Sequence, residues 1–463
     1  VKSTLTLTTL LILAGLALFS LPAQGAEDAE KYWPAWRGPL GTGVSPNGDP
    51  PVSWSETENV KWKSAIPGKG HSSPIVWGEL IVITSAVETD RRAEGAPKEG
   101  EKPGRRPGRR WMRGIRTDKV HCFLVCAYDR SDGSKVWEST VFEEWPSDAT
   151  HGDGSWASNT PVTDGKKIVA YFGSRGIACL SMKGEVLWKK NIGRMKKRMS
   201  FGDGASPALH KNRIVVVQDH EGPSFITVLD LASGDEVWRA DRDEQSTWAT
   251  PFFLRVKGRM QILTSGTRAI RSYDLETGKV LWTLRGMTQN VIPTPVVGHG
   301  LVYFTSGFRG SAATAVRFAD ARGDVTGTDA VAWHYSGSTP YTPSPVLVGD
   351  TLYMLRRNDS ILTALNAKTG KVIYGPERFR DVGTVYACLT AAKNRFYMVG
   401  KKGLTYVFEH GSECKVLSRN RLDDLFSASP AIVGKELFLR GEKNLYCLVG
   451  GSTGKKKPKE EDF

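Results

Sequence analysis

Five times in this chain a short polar turn is followed at near-constant distance by glycine and then by a large aromatic residue. The clearest copy is Asp274-Leu275-Glu276-Thr277-Gly278-Lys279-Val280-Leu281-Trp282. Asp274 can accept hydrogen bonds from its own turn, Gly278 tolerates positive φ, and the residues after it suit a strand anchored by Trp282. Asp230, Gly234 and Trp238 repeat the phrase, as do Asp129, Gly133 and Trp137. Asn366, Gly370 and Tyr374 carry Tyr for Trp, and Ser181, Gly184 and Trp188 run one residue shorter. One copy would be a hairpin. Five demand a repeat fold.

A second mark keeps the same period. Ser/Thr-Pro precedes an apolar run, a polar turn and another apolar run at Ser73-Pro74, Thr160-Pro161, Ser206-Pro207, Thr250-Pro251, Thr294-Pro295, Ser344-Pro345 and Ser429-Pro430; Cys388-Leu389-Thr390 fills the eighth place without proline. Proline is tolerated where a strand begins, because no ladder N–H is lost there. Each unit therefore reads as four antiparallel strands, the last one carrying the Trp. From Trp137 the anchors recur every 41 to 51 residues through Trp188, Trp238, Trp282, Trp333, Tyr374 and Leu417. Four strands at that period are the signature of a propeller blade.

The final unit, Ser429 to Leu448, supplies three strands and no Trp strand, whereas Asn59-Val60-Lys61-Trp62-Lys63 is a Trp strand with nothing before it. Pairing the two would leave no open edge. The expectation is an all-β, eight-bladed β-propeller of four-stranded blades, closed by the strand around Trp62. The 49 glycines and 14 tryptophans among 463 residues fit many turns with aromatic anchors.

Residues 1–25 read as a signal peptide: Lys2, an apolar run from Leu5 to Leu21, then Ala23-Gln24-Gly25 as a cleavage site. The expected compartment is periplasmic or secreted, with no transmembrane span after cleavage. Residues 26–58, with Trp33, Trp36 and Trp54, read as an irregular clamp, 59–450 as the propeller and 451–463 as a basic tail. The formal net charge of +14 is largely local, in an Arg-rich insert over 90–119 and in that tail, which marks solvated segments. Export makes nucleic acid an unexpected partner. Six cysteines without a C-x-x-C pattern read as buried thiols, not disulfides.

The phrase Asp-x-x-Thr-Gly-x-x-x-Trp resembles the tryptophan-docking repeat of the PQQ-like, quinoprotein-type propellers. Trp33-Pro34-Ala35-Trp36-Arg37-Gly38-Pro39 and Phe172-Gly173-Ser174-Arg175-Gly176 are similar to secreted PQQ-like repeat proteins of planctomycete-type bacteria, and BamB-like proteins are more distant. The resemblance implies two functions. The first is a non-catalytic, BamB-like ligand- or protein-binding scaffold. The alternative is a PQQ-dependent dehydrogenase using PQQ and Ca²⁺. A third class, a glycan-binding or polysaccharide-active protein, is allowed by the aromatic residues of the loops. The alcohol dehydrogenases of this kind carry a vicinal Cys-Cys pair, which this sequence lacks, and their metal ligands align with no motif here.

Within each unit, the second-to-third-strand loop and the loop to the next unit should open on one face. The former carry Arg175, Arg268, Arg309 and Arg357, with Asp219 and His220 in another copy; the latter carry Trp156, Trp248, Asn290 and Tyr341. These ten residues are the candidate ligand site, expected as an Arg- and aromatic-lined funnel. Arg forks pair with carboxylates and aromatic faces stack on flat ligands. The expected partner is an anionic small molecule or glycan, or an envelope protein. The same arginines could instead bridge neighbouring units. His71, His121, His151 and His220 show no metal-ligand spacing.

Overall fold

The computed structural model describes residues 29–96, 114–146 and 148–453. The signal-peptide reading, most of the Arg-rich insert and nearly all of the tail lie outside the described residues. Eight antiparallel four-stranded sheets form a ring: blade 1 over 75–144, blade 2 over 162–190, blade 3 over 208–242, blade 4 over 252–284, blade 5 over 296–335, blade 6 over 346–378, blade 7 over 390–421 and blade 8 over 431–453. Blade 8 takes its outer strand from Glu58–Ala65, and Trp62 pairs with Cys447 beside Phe438. The chain is a β-propeller whose ring is closed by its two ends.

The repeated phrase works as a joint between blades. In blade 4, Asp274 Oδ1 accepts from the backbone N–H groups of Glu276 at 3.1 Å and Thr277 at 2.8 Å, closing the turn. Gly278 sits at φ +70°, and a Cβ there would lie 2.8 Å from the Trp238 ring of the preceding blade. Glycine is required both for the backbone and to let the indole lie flat on the turn. The indole N–H then donates to a carbonyl in the same turn: Trp238 to Leu275 at 2.8 Å, Trp188 to Leu231 at 3.1 Å, Trp137 to Met182 at 3.0 Å, Trp62 to Arg130 at 3.0 Å and Trp333 to Ala367 at 2.8 Å. A β-bulge one residue before each anchor recurs in every blade and aims the side chain at its neighbour.

Two copies depart from this scheme. In blade 7 the bulge falls at Leu417, so Ser418 takes the anchor position expected for Leu417, which stays exposed. The indole at that boundary is Trp54, stacked on Tyr397 at 6.3 Å and held through its backbone N–H by Asn420. In blade 5 the turn expands over 318–330, and Gly323–Asp324 pairs in parallel with Trp282-Thr283. Trp282 is consequently fully buried and donates to Gln261 instead.

Every inner strand starts immediately after the Ser/Thr-Pro mark, or at Thr390 in blade 7. The residue before each proline has a further role: it links the blades around the central channel. The backbone N–H of Ser73 donates to the Thr160 hydroxyl at 2.8 Å, Thr160 to Ser206 at 2.9 Å and Ser206 to Thr250 at 3.0 Å. The Thr294 hydroxyl donates to the Thr250 carbonyl at 3.3 Å, and the Thr294 N–H to Ser344 at 3.0 Å. Ser344 donates to Cys388 Sγ at 3.1 Å, Cys388 to Ser429 at 2.9 Å and Ser429 to Ser73 at 3.0 Å. The belt visits all eight blades and closes on itself. All six cysteines are free thiols, and Cys388 stands in the place that Ser or Thr takes elsewhere.

Below the belt the N-terminal segment plugs the channel. Trp33 exchanges backbone hydrogen bonds with Val76 of blade 1, and Val44–Ser45 adds a parallel strand to Ala391-Ala392 of blade 7. Between them Arg37 is 2% exposed and donates to the carbonyls of Gly41, Thr42 and, at 2.5 Å, Pro345 of blade 6. One side chain thus ties the plug to itself and to the ring. No helix among the described residues is long and apolar enough to cross a membrane.

Candidate functional site

With its lower end plugged, the channel is a blind funnel open on the face of the blade-to-blade connections. It encloses about 420 Å³, within the range of small-molecule sites. Its floor is Trp36 of the plug together with belt residues Ser73, Thr160, Ser206, Cys388 and Ser429. Its wall is aromatic and comes in two groups. On one side His151 meets Phe201 edge-on at 5.2 Å, and Phe201 lies 6.3 Å from Trp248. Opposite, Phe308 stacks on Tyr341 at 4.9 Å, with Tyr386 beyond. Trp248 is fixed from behind: its indole N–H donates to the Gly202 carbonyl at 2.7 Å, and Lys197 Nζ lies 5.2 Å from its ring. Lys197 is buried, donates to the Asp219 and Thr247 carbonyls at 2.7 and 2.9 Å, and is depressed by burial from the usual lysine range.

Two carboxylates and one imidazole complete the lining. Asp153, on the connection from blade 1 to blade 2, reaches over blade 8 to blade 7. It is paired with Lys401 and accepts the Tyr386 hydroxyl at 2.7 Å. Burial opposes its ionisation, but Lys401 and Tyr386 outweigh that and hold the carboxyl below its usual range. Asp203 accepts the Ser174 backbone N–H at 2.8 Å through Oδ2, an approach that the absent Cβ of Gly173 permits. Burial, and then neighbouring Asp148, push this carboxyl up. His71 is held down to about 3, by burial first and then by Arg440, Lys69 and Lys401 against the opposing Asp153, so it is neutral at pH 7.

The ten residues expected to form the site divide sharply. Trp248 and Tyr341 line the funnel. None of the four arginines does. Arg175 is buried against Glu144 at 2.8 Å and paired with Asp148. Arg268 pairs with Asp243 at 2.6 Å on the surface, away from the funnel. Arg309 and Arg357 stay exposed at their loop tips, with the Arg309 guanidinium 5.4 Å from the centre of the Phe308 ring. The expected cationic rim is therefore not part of the cavity wall, and Arg175 and Arg268 are drawn into ion pairs instead. Asp219 is wholly buried in a two-pronged pair with Arg242 at 2.7 and 3.0 Å. His220 accepts the backbone N–H groups of Lys196 at 3.3 Å and Gly222 at 3.1 Å. Trp156 packs edge-on to His121 at 4.9 Å, and Asn290 is buried outside the lining. Trp36, His71, Asp153, Asp203 and Phe308 were not in the expected set. The aromatic loop residues before each proline were the signal that pointed to the face on which this cavity opens.

PQQ is a tricarboxylate, and the Ca²⁺ that accompanies it takes six to eight oxygen ligands. Asp153 is committed to Lys401 and Tyr386, and Asp203 gives Oδ2 to Ser174 and keeps Oδ1 unpaired. Among the described residues no three His, Cys, Asp or Glu side chains come together as a metal site. Lys401, the cation behind Asp153 and Tyr386, is already paired with Asp153. The residues present do not supply that cofactor's binding set.

The sequence model of a PQQ-type repeat family described as outer membrane protein assembly factor BamB matches residues 122–251 and 222–419, more than half of the chain. The chain belongs to this family. No curated protein sequence matches it. Among solved structures, BamB from Moraxella catarrhalis is similar at 15% identity and TM-score 0.52, covering 81% of this chain and 99% of that one. Quinohemoprotein alcohol dehydrogenase from Comamonas testosteroni matches at 10% identity and TM-score 0.60, over 93% of this chain and 82% of that one. A europium-containing methanol dehydrogenase matches at 11% identity and TM-score 0.60, over 90% and 92%. At these identities the likeness is one of fold.

Proposed function

We propose that this family member is an exported, non-catalytic binding propeller whose ligand site is the blind central funnel. What carries the reading is the funnel's chemistry. Its wall is stacking surface and its floor is hydroxyl, while Asp153 is tied to Lys401 and Tyr386, Asp203 keeps one oxygen unpaired, and among the described residues no carboxylates are grouped to hold a metal ion. A fold shared by assembly factors and dehydrogenases does not choose between them, so the reading rests on the chemistry of the site. The export signal read at residues 1–25 and the family's outer-membrane assembly description agree with a place in the cell envelope. The test is reconstitution with PQQ and Ca²⁺ followed by a dye-linked alcohol assay. The expected result is no dye reduction above the unsupplemented protein. Turnover that requires both additions would replace this reading with a quinoprotein dehydrogenase.

A further inference from the structure

Resting on the funnel as the ligand site, the geometry points to a neutral sugar chain end as its occupant. Three observations converge on that chemistry. First, aromatic faces stand on opposite sides of the cavity, Phe201 and Trp248 facing the Phe308–Tyr341 stack and Tyr386. A pyranose presents a C–H face that stacks on such rings and a rim of hydroxyls that does not. Second, the floor is a belt of hydroxyls from Ser73, Thr160, Ser206 and Ser429 around the Trp36 ring. Third, two lining side chains, Asp203 and His71, carry buried polar atoms, Oδ1 and Nε2, without a hydrogen-bond partner among the described residues. The nearest group to His71 Nε2 is Glu442 at 4.0 Å, too far for a hydrogen bond.

Orphaned buried polar atoms are costly unless something satisfies them. Asp203 Oδ1 accepts when the carboxyl is ionised and can donate when it is protonated, and a neutral imidazole has one donor and one acceptor nitrogen. Both therefore suit a ligand rich in hydroxyls, each of which donates and accepts. An anion gains nothing comparable. Among the described residues no lysine or arginine lines the funnel, and Lys401 beside Tyr386 is held by Asp153, so an acidic ligand would find no free cation in the lining. The cavity volume suits one or two sugar units, with the remainder of a polymer leaving through the open mouth.

The experiment is calorimetric titration of the full-length protein with cellopentaose, maltopentaose, mannopentaose, chitopentaose in its N-acetylated form, a galacturonic acid oligomer and PQQ. The expected result is one-to-one binding of at least one neutral oligosaccharide. Asp203→Asn and Tyr341→Ala should each weaken it about tenfold or more, while Arg309→Ala leaves it unchanged. Trp248→Ala should abolish it; because Trp248 also packs on Lys197, the other two variants decide the matter if that one fails to fold. The galacturonate oligomer should bind at least about tenfold more weakly than the best neutral chain. Failure of every neutral sugar at millimolar concentration overturns the inference, as does tighter binding of the uronate with loss in Arg309→Ala. Either outcome leaves the non-catalytic reading standing. Dye reduction after PQQ and Ca²⁺ reconstitution would remove that reading instead.

Discussion

Replacing Gly234 by alanine should destabilise the propeller partly through one identified indole, and once that indole is removed the same replacement should cost only its backbone share. Gly234 sits at φ +73°, and a Cβ there would lie 2.7, 2.8 and 2.9 Å from three carbons of Trp188 in the preceding blade. The backbone conformation costs an L-residue about 1–2 kcal/mol. Displacing a packed ring by several tenths of an ångström adds about 1–3 kcal/mol. Gly234→Ala alone should therefore cost about 2–5 kcal/mol. Trp188→Ala alone loses a half-buried ring and its 3.1 Å bond to the Leu231 carbonyl. That places it at or below the usual range of about 3–5 kcal/mol for aromatic truncation. In the double variant no indole remains to be displaced, so the added methyl group brings only the backbone share of the cost. The two changes should fall short of additivity by about 1–3 kcal/mol. Urea unfolding followed by circular dichroism, with m held in common, reads this directly. Additivity within about 0.5 kcal/mol would mean that the glycine serves the turn alone and that the indole is not docked on it.

Other outcomes follow from single features. Cys388→Ser should leave stability within about 0.5 kcal/mol of wild type, since a hydroxyl fills the same belt position in the other blades; Cys388→Ala should cost about 1–3 kcal/mol by stranding the buried Ser344 N–H, measured by the same unfolding curves. For pH, the folded-state His71 is held near 3 while an unfolded imidazole titrates near 6.5. The unfolded chain then binds the extra proton between those values. Its contribution is intact above about pH 6.5 and is lost as pH falls below it, by up to about 1.4 kcal/mol per pH unit. Between pH 7 and pH 5 the wild type should lose more stability than His71→Gln; equal slopes would contradict the buried neutral imidazole. Tyr386→Phe combined with Lys401→Met releases Asp153 and should raise hydrogen exchange over residues 148–156 with little change in the global unfolding midpoint; unchanged exchange there would refute the clasp.

The fold was legible because its joints are local. An Asx turn, a glycine with positive φ and an indole lie within nine residues, and a proline marks every inner strand but the one in blade 7, so period and closure could be read from Trp62 and the last unit. Ser418 was missed because the blade-7 turn, Glu409 to Lys415, lacks the Asp-to-Gly spacing that sets the register elsewhere. The site was only partly legible. Trp248 and Tyr341 follow from their place before the prolines, which positions them on the funnel face. The arginines do not follow, because a loop's side of the ring does not determine where a long side chain finds its partner. Arg175 and Arg268 chose acids within the protein. Trp36 and the Asp153–Lys401 pair depend on contacts spanning hundreds of residues, from plug to belt and from one connection across to blade 7, and no local pattern encodes them.

The most direct test of the funnel as the ligand site is a crystal structure of the protein soaked with the tightest-binding neutral oligosaccharide. The expected density is a sugar ring between Trp248 and Tyr341 above Trp36, with a hydroxyl within hydrogen-bond distance of Asp203 Oδ1. Density confined to the outer loop tips around Arg309 and Arg357, with the funnel holding only solvent, would contradict it.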